Sequence, residues 1–348
     1  MGLVPWQPRP VVQPAWRPRS DRDELVPIRS ILAGVGAYLP EQTLGNDDLA
    51  QRLETSDTWI RERTGIRQRY IAGPHETCAH MGTAAARAAL CHAGADPSDV
   101  DAIILATSTP DQAFPATALR VQAALGVTGG FGFDLSAACA GFIYALSVAD
   151  GMIRAGQATG VLVIGSEVYS RILNWQDRGT CVLFGDGAGA VFLRAGGGAG
   201  TADRGILSTH LHAQGTLGDI LYVDGAVGRS DRPGTLVMNG REVFRHAVLR
   251  LAESVDEALA ANGLGRRDVN WLVPHQANLR IIDAMGRKLE LPPERVVVTV
   301  DRHANTSAAS VPLALAEAVT DGRIRRGDLV LMEALGGGLT WGSALVRM

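Results

Sequence analysis

The chain has 348 residues, is 46% hydrophobic and 20% charged, and carries a formal net charge of -3. This composition supports a large buried core and excludes a global attraction to nucleic acid or anionic membranes, leaving a local basic face as the route to any acidic partner. The longest apolar runs, such as residues 161–165, fall far short of the ~20 residues of a membrane helix. Four scattered cysteines without a CxxC pair exclude a disulfide framework, so a soluble protein of a reducing, cytoplasmic compartment is expected.

Residues 1–27 hold Pro5, Pro8, Pro10, Pro14, Pro18 and Pro27 and lack apolar periodicity, so they are expected to form a disordered extension. No apolar run follows their basic residues, as an export signal would need. Asp21, Asp23 and Glu24 argue against a transit peptide. From residue 28 onward, strand-like and helix-like segments alternate. Residues 89–104, with a glycine stop at Gly94, recur as residues 258–273, with a stop at Gly263, an offset of 169 residues. The same offset relates residues 139–146 to 308–315. More loosely, Gly156 and residues 161–164 match Gly327 and residues 329–332.

Two halves, 28–200 and 201–348, are therefore expected, each running β, α, β, α, β, β. Strands apolar throughout need cover on both faces. A duplicated unit then gives two sheets sandwiching shared helices, a five-layered α/β/α/β/α body. In such a body, the turns that start the shared helices face one pocket.

Cys139 stands at one of those turns, between small residues, after Gly-Phe-Gly-Phe and before an apolar helix. Helix N-terminal amides favour the thiolate there, and small neighbours admit a thioester. Cys91 and Cys181 read as buried small hydrophobes. His275 ends the strand Trp-Leu-Val-Pro, and Asn305 follows a second apolar strand a few residues before the counterpart of the Cys139 helix. Singly, His275 reads as a structural histidine and Asn305 as a helix cap; the duplication brings both to the Cys139 pocket. His75, His80, His92, His210, His212 and His246 lack such a setting and show no zinc spacing, and His303 reads as a local cap.

Four motifs, Ala-Ala-Cys139-Ala-Gly-Phe, Pro274-His275-Gln-Ala-Asn-Leu-Arg, His303-Ala-Asn305-Thr-Ser-Ala-Ala and Gly336-Gly-Gly-Leu-Thr-Trp-Gly-Ser343, carry a likeness that runs from about residue 29 to the end of the chain. With them, the sequence resembles a β-ketoacyl-acyl carrier protein synthase III of the thiolase superfamily. The resemblance implies that Cys139 takes an acyl group from acyl-CoA, with the amides of Cys139 and Gly337 as oxyanion hole. It also implies that His275 and Asn305 donate to the enolate left when malonyl-acyl carrier protein loses carbon dioxide. Neutral donors suit this role, because a fixed positive charge would also hold the departing carboxylate. Neither metal nor other cofactor is implied.

For coenzyme A, the resemblance implies Trp59 and Arg178 around adenine, Arg63 at the phosphates, and Thr55, Gly240, Phe244 and Asn278 along the tunnel. Arg241 stands where some relatives have a smaller polar residue. Carrier-protein docking is implied for Arg245, Arg287, Lys288 and the stretch Gln276, Ala277, Asn278, Leu279 and Arg280. Phe114 is implied to close the acyl pocket of a neighbouring subunit, which favours an acetyl starter and a homodimer; the apolar edge around Phe131 fits strand pairing between copies.

A starter-specific ketosynthase of secondary metabolism would share these residues. A non-catalytic condensing-enzyme partner is disfavoured by the intact triad, and a cysteine hydrolase needs a group that orients His275 and an open water path. Hydroxymethylglutaryl-CoA synthases need a general-base glutamate near the cysteine, and no neighbour of Cys139 in sequence offers one. Plant-type chalcone synthases lack the turn at residues 336–343.

Overall fold

The computed structural model describes residues 28–197, 204–225 and 234–348; the expected disordered extension, 1–27, lies outside the described residues. In the first part of the chain the strands are β1 (Arg29–Tyr38), β2 (Gln42–Gly45), β3 (Gln68–Ile71), β4 (Ala102–Ala106), β5 (Phe131–Leu135), β6 (Gly160–Val168) and β7 (Asp186–Gly196). The helices are α1 (Asn46–Ala50), α2 (Asp57–Thr64), α3 (Cys78–Ala93), α4 (Thr117–Leu125) and α5 (Gly141–Arg154). The second part adds strands β8 (Gly205–Ala213), β9 (Leu221–Val223), β10 (Leu236–Met238), β11 (Trp271–Pro274), β12 (Leu329–Gly336) and β13 (Thr340–Arg347). Its helices are α6 (Gly240–Ala261), α7 (Leu279–Lys288), α8 (Val300–His303) and α9 (Ser310–Thr320).

Two large sheets form, ordered β1-β7-β6-β4-β5 and β11-β12-β13-β8, beside the two-stranded pairs β10-β9 and β2-β3. Strand alternation sorts their side chains between layers. On β4, Ala102, Ile104 and Ala106 face a core shared with α5 and α9, while Ile103 and Leu105 face α3 and α4. On β12, Val330, Met332 and Ala334 enter the same shared core, while Leu329, Leu331 and Leu335 turn outward to α6 and α7. Helices α5 and α9 thus lie between the sheets, and the body has the five-layered thiolase-like α/β/α/β/α architecture. Every residue of β6 is buried, which is why residues 160–165 read as an unbroken apolar run, with Ser166 and Glu167 buried beyond it.

The 169-residue offset persists in backbone detail. Gly94 and Gly263 end their helices with φ of 58° and 63°, a left-handed conformation that glycine adopts without Cβ strain. The looser third correspondence shifts by one residue: β4 pairs Ala102 with Val161, and β11 pairs Trp271 with Val330, so Val161 answers to Val330 rather than Leu329.

One predicted strand of the second half is reduced to a single parallel bridge, Leu272 to Val296. The Gln276 side chain replaces the rest of that ladder. Its amide donates to the carbonyls of Pro274 and Val297 at 2.8 and 3.0 Å, and its oxygen accepts the Thr299 and Val300 amides at 2.8 and 3.0 Å.

Candidate active site

Cys139 lies on the short 3-10 turn Ala138–Ala140 that opens into α5. Ala138 before it has φ of 46°, a strained position for a residue with a Cβ. His275 directly follows β11, its amide bonded to the Glu333 carbonyl of β12 at 2.8 Å. Asn305 follows α8 and is pinned by its backbone to Leu183 and Gly185 at 2.9 and 3.0 Å. All three line one cavity of about 930 Å³, and each is only 5–6% exposed.

The polar partners of His275 and Asn305 fix what each presents to that cavity. Burial holds His275 neutral, its pKa lowered to about 3. Its Nδ1 lies 2.6 Å from the Ser310 hydroxyl oxygen, which already accepts the Gln276 N–H at 3.3 Å. Because the hydroxyl proton meets no other acceptor among the described residues, we assign it as donor to Nδ1, leaving the imidazole proton on Nε2. Asn305 Oδ1 accepts the Ser307 N–H at 2.8 Å, so its NH₂ is the end left to donate.

Cys139 departs from expectation. Burial pushes its thiol up to about 12, and the Glu167 charge adds to the rise against the lowering influence of Ser307. The resting nucleophile is the neutral thiol, because desolvation outweighs the helix-start amides until a thioester arrives.

Beside it, the end of β12 presses close: a Cβ on Gly336 would sit 2.5 Å from the Cys139 nitrogen, so only glycine lets the 336–338 turn approach that amide. Thr340 Oγ1 ties the turn to the Cys139 loop, donating within reach of the Ala137 carbonyl at 2.9 Å and the Gly337 carbonyl at 3.2 Å.

At the mouth, Trp59, Arg63, Gly240, Arg241, Phe244 and Asn278 line the cavity. Thr55 and Arg178 do not. The Arg63 and Arg178 guanidinium carbons lie 5.2 and 5.1 Å from the Trp59 ring centre. Arg178 therefore rests on the indole itself, with no gap for a third ring, and also donates to the Glu54 carbonyl. An adenine slot between the two requires Arg178 to swing away. Asn278 caps α7, accepting the Arg280 N–H at 2.9 Å.

Of the expected docking residues, Arg245, Arg280 and Arg287 are exposed, and Ala277, Asn278 and Leu279 are half-buried. Lys288 pairs with Asp256 at 3.0 Å. Gln276 does not belong with them: it is fully buried and spends its amide on the backbone bonds described above. Phe114 is 84% exposed and lies outside the cavity.

Sequence reasoning missed Glu167 and Glu333. Glu167, at the end of β6, is fully buried and near enough to perturb Cys139, so the lack of a glutamate near the cysteine does not hold as an argument against other branches of the fold. Glu333, on β12 between Pro274 and Ser343, is fully buried, and neither carboxylate oxygen has a hydrogen-bond partner. Each was legible as a carboxylate inside an otherwise apolar strand.

A thiolase-like fold with a buried cysteine, a neutral histidine and an asparagine around one cavity defines a condensing acyltransferase. Residues 133–215 match the family model of 3-oxoacyl-(acyl-carrier-protein) synthase III, and residues 259–348 match its C-terminal model. A curated relative from Acidiphilium cryptum, a beta-ketoacyl-(acyl-carrier-protein) synthase III, is 71% identical over 319 residues, covering 92% of this chain and 99% of its own. Among solved structures, the 3-oxoacyl-(acyl-carrier-protein) synthase III of Aquifex aeolicus is 47% identical with a TM-score of 0.87, covering 92% of this chain and all of its own. A priming β-ketosynthase of a polyketide biosynthetic pathway is 38% identical with a TM-score of 0.86, covering 92% of this chain and 96% of its own. The chain belongs to the β-ketoacyl-acyl carrier protein synthase III family.

Proposed function

We propose that this enzyme condenses an acyl-CoA starter, acetyl-CoA, with malonyl-acyl carrier protein to give a 3-oxoacyl-acyl carrier protein, the initiating step of fatty acid synthesis. The observation that carries the reading is the shared cavity of Cys139, His275 and Asn305, with the latter two presenting neutral donors. Cys139 attacks the starter thioester, and the amides of Cys139 and Gly337 hold the oxyanion. Malonyl-acyl carrier protein then enters, its carboxylate leaves as carbon dioxide, and His275 Nε2–H and the Asn305 amide stabilise the enolate oxygen. Its carbon attacks the acyl-Cys139 carbonyl and frees the thiol. Electrostatic stabilisation of this kind is worth on the order of 10²–10³ in rate for each donor.

The identity of 71% to a beta-ketoacyl-(acyl-carrier-protein) synthase III, against 38% to the polyketide priming enzyme, supports the primary-metabolic role. The exposed Phe114 before α4, Leu119 on α4 and Phe131 on the edge strand β5 support a homodimer in which Phe114 closes the partner's acyl pocket. No helix among the described residues is long and apolar enough to cross a membrane, in keeping with a cytoplasmic enzyme. Mass spectrometry after incubation with acetyl-CoA tests the core of the reading. An adduct is expected on wild type, His275→Ala and Asn305→Ala; one persisting in Cys139→Ala would refute it.

A further inference from the structure

Acyl transfer places negative charge on a carbonyl oxygen twice, once as Cys139 attacks the starter and once as the enolate carbon attacks the acyl-enzyme. The Gly337 amide, proposed above as one of the two donors to that oxygen, lies on the turn between β12 and β13 and lines the cavity. Such donors work by being fixed in advance, to within about 0.5 Å of the productive position. With glycine at 336, 337 and 338, the turn has no side chains there to hold it, so its surroundings must set its position.

Thr340 ties the turn to the Cys139 loop, and the segment that follows β8 holds it from the other side. One step beyond the Thr340–Ala213 pair of the sheet, the Gln214 N–H donates to the Leu339 carbonyl at 2.8 Å and the Leu339 N–H to the Gln214 carbonyl at 3.1 Å. The Gln214 carbonyl also accepts the Leu217 N–H at 3.1 Å, at the start of the 3-10 segment Gly215–Ile220. This segment packs directly on the turn. A Cβ on Gly337 would meet the Leu221 carbonyl oxygen at 2.6 Å, and one on Gly218 the Gly338 carbonyl oxygen at 3.6 Å. Its far end is tied to the start of α6, where the Asn239 N–H donates to the Ile220 carbonyl at 2.8 Å.

A single side chain of α6 fastens the near end. Arg250 Nη2 donates to Gln214 Oε1 at 3.0 Å, while Nη1 donates to Glu253 Oε2 at 3.0 Å and so sets the angle of the guanidinium. The guanidinium carbon lies 5.2 Å from the ring centre of the buried Trp341, the residue after Thr340. The Arg250 side chain is 27% exposed, which shields its bond to Gln214 more than an open surface contact. Arg250, Gln214 and Trp341 do not line the cavity, and the condensation chemistry gives them no part.

We propose that Arg250 is a positioning residue for the oxyanion hole: it holds Gln214, Gln214 holds Leu339, and Leu339 sets where the Gly337 amide stands in the cavity. The inference rests on the proposed roles of Cys139 and Gly337. Its consequence is selective. Acylation and carbon–carbon bond formation depend on the Gly337 amide. Loss of carbon dioxide depends on His275 and Asn305, which are held by β11 and by the Leu183–Gly185 backbone, away from this strap. A loosened strap therefore slows the first kind of step and spares the second.

The test compares two rates in the full-length protein: acetyl-adduct formation from saturating acetyl-CoA, by rapid quench and mass spectrometry, and carbon dioxide release from malonyl-acyl carrier protein. The variants are Arg250→Met, which keeps an apolar stem near Trp341 but has no donor, Arg250→Lys, Gln214→Ala, and Arg250→Met combined with Gln214→Ala. Arg250→Met and Gln214→Ala should each slow adduct formation about tenfold, less than the 10²–10³ of a donor removed outright, because the amide is misplaced and not lost. KM for acetyl-CoA and the rate of carbon dioxide release should stay within about twofold of wild type. Since both side chains act through one bond, the combined variant should be no slower than the slower single one. Arg250→Lys, which can still donate to Gln214, should recover most of the rate. If Arg250→Met does not fold, Gln214→Ala, which keeps every backbone bond of the strap, carries the same comparison. Wild-type acylation in Gln214→Ala, equal slowing of both rates, additive losses, or an Arg250→Lys no faster than Arg250→Met would overturn the positioning role. An adduct surviving in Cys139→Ala would instead overturn the nucleophile assignment, and is read by mass independently of these rates.

Discussion

The hydroxyl of Ser310 sits 2.6 Å from Nδ1 of His275, on the first turn of the central helix α9, and so couples the shared layer of the fold to the donor that faces the substrate. Without that hydroxyl nothing selects the Nε2–H tautomer, since burial already keeps the ring neutral. Ser310→Ala is expected to slow carbon dioxide release from malonyl-acyl carrier protein by on the order of tenfold, the equivalent of one hydrogen bond of about 1–1.5 kcal/mol. Acetylation of Cys139 should persist. Separate assays of the two half-reactions check this, and equal slowing of both would assign Ser310 to packing.

How far this site could be read in advance follows from which signals are local. Cys139 and the layered core were legible because a duplicated strand-helix pattern repeats at one offset, and a small-residue helix start marks the turn. The Ser310 contact was not, because its spacing of 35 residues from His275 acquires meaning only once β11 and α9 are packed together. Gln276 shows the opposite failure: in a motif beside His275 it looks like a surface contact, whereas the missing ladder at Val296 draws it inward.

Glu333 makes the stability of the fold depend on pH. Burial without a partner pushes its carboxyl from 4.5 up to about 8. A folded pKa above the unfolded one means that the native state holds the proton more tightly. The resulting stabilisation is complete below about 4.5 and is lost as pH climbs through 8. Glu333→Gln, neutral at every pH, should match wild type near pH 5 and melt higher at pH 9, by ~2–4 °C for each kcal/mol recovered. Melting curves at the two pH values decide it; a variant less stable at pH 9 would show that the charged carboxylate is accommodated.

Trp59 offers a large flat surface at the cavity mouth, with the Arg63 and Arg178 guanidinium carbons 5.2 and 5.1 Å from its ring centre. Removing it should weaken coenzyme A binding without touching the reacting atoms. Trp59→Ala is expected to raise KM for acetyl-CoA about tenfold, the loss of a stacking contact of roughly 1–2 kcal/mol, with kcat little changed. A matching fall in kcat would place Trp59 in the chemistry instead.

Phe114 is 84% exposed in the single chain, an unusual environment for so large an apolar side chain. If it closes the acyl pocket of a second copy, Phe114→Thr should open that pocket and shift preference from acetyl-CoA toward isobutyryl-CoA. Competition between the two primers measures the shift, and an unchanged ratio would remove Phe114 from the pocket.

The carrier protein is acidic, and the face that receives it should be recognisable by which cations are already neutralised within this chain. Lys288 and Arg266 both bind Asp256 at 3.0 Å, so the Lys288 charge is largely spent internally. Arg287, one residue earlier on α7, is exposed, and the Arg245 side chain on α6 is 68% exposed against 36% for Lys288, so its pair with Glu242 at 2.6 Å is a screened surface contact that an acidic partner can compete with. Arg287→Glu and Arg245→Glu should therefore raise KM for malonyl-acyl carrier protein by about tenfold at low salt, and Lys288→Ala by less than about twofold. The gap should close as ionic strength rises and the Debye length contracts toward ~3 Å near 1 M salt. Acylation by acetyl-CoA, which involves no carrier protein, should remain at the wild-type rate in all three. A salt-independent effect, or a larger one from Lys288 than from Arg287, would move the docking face off these two helices.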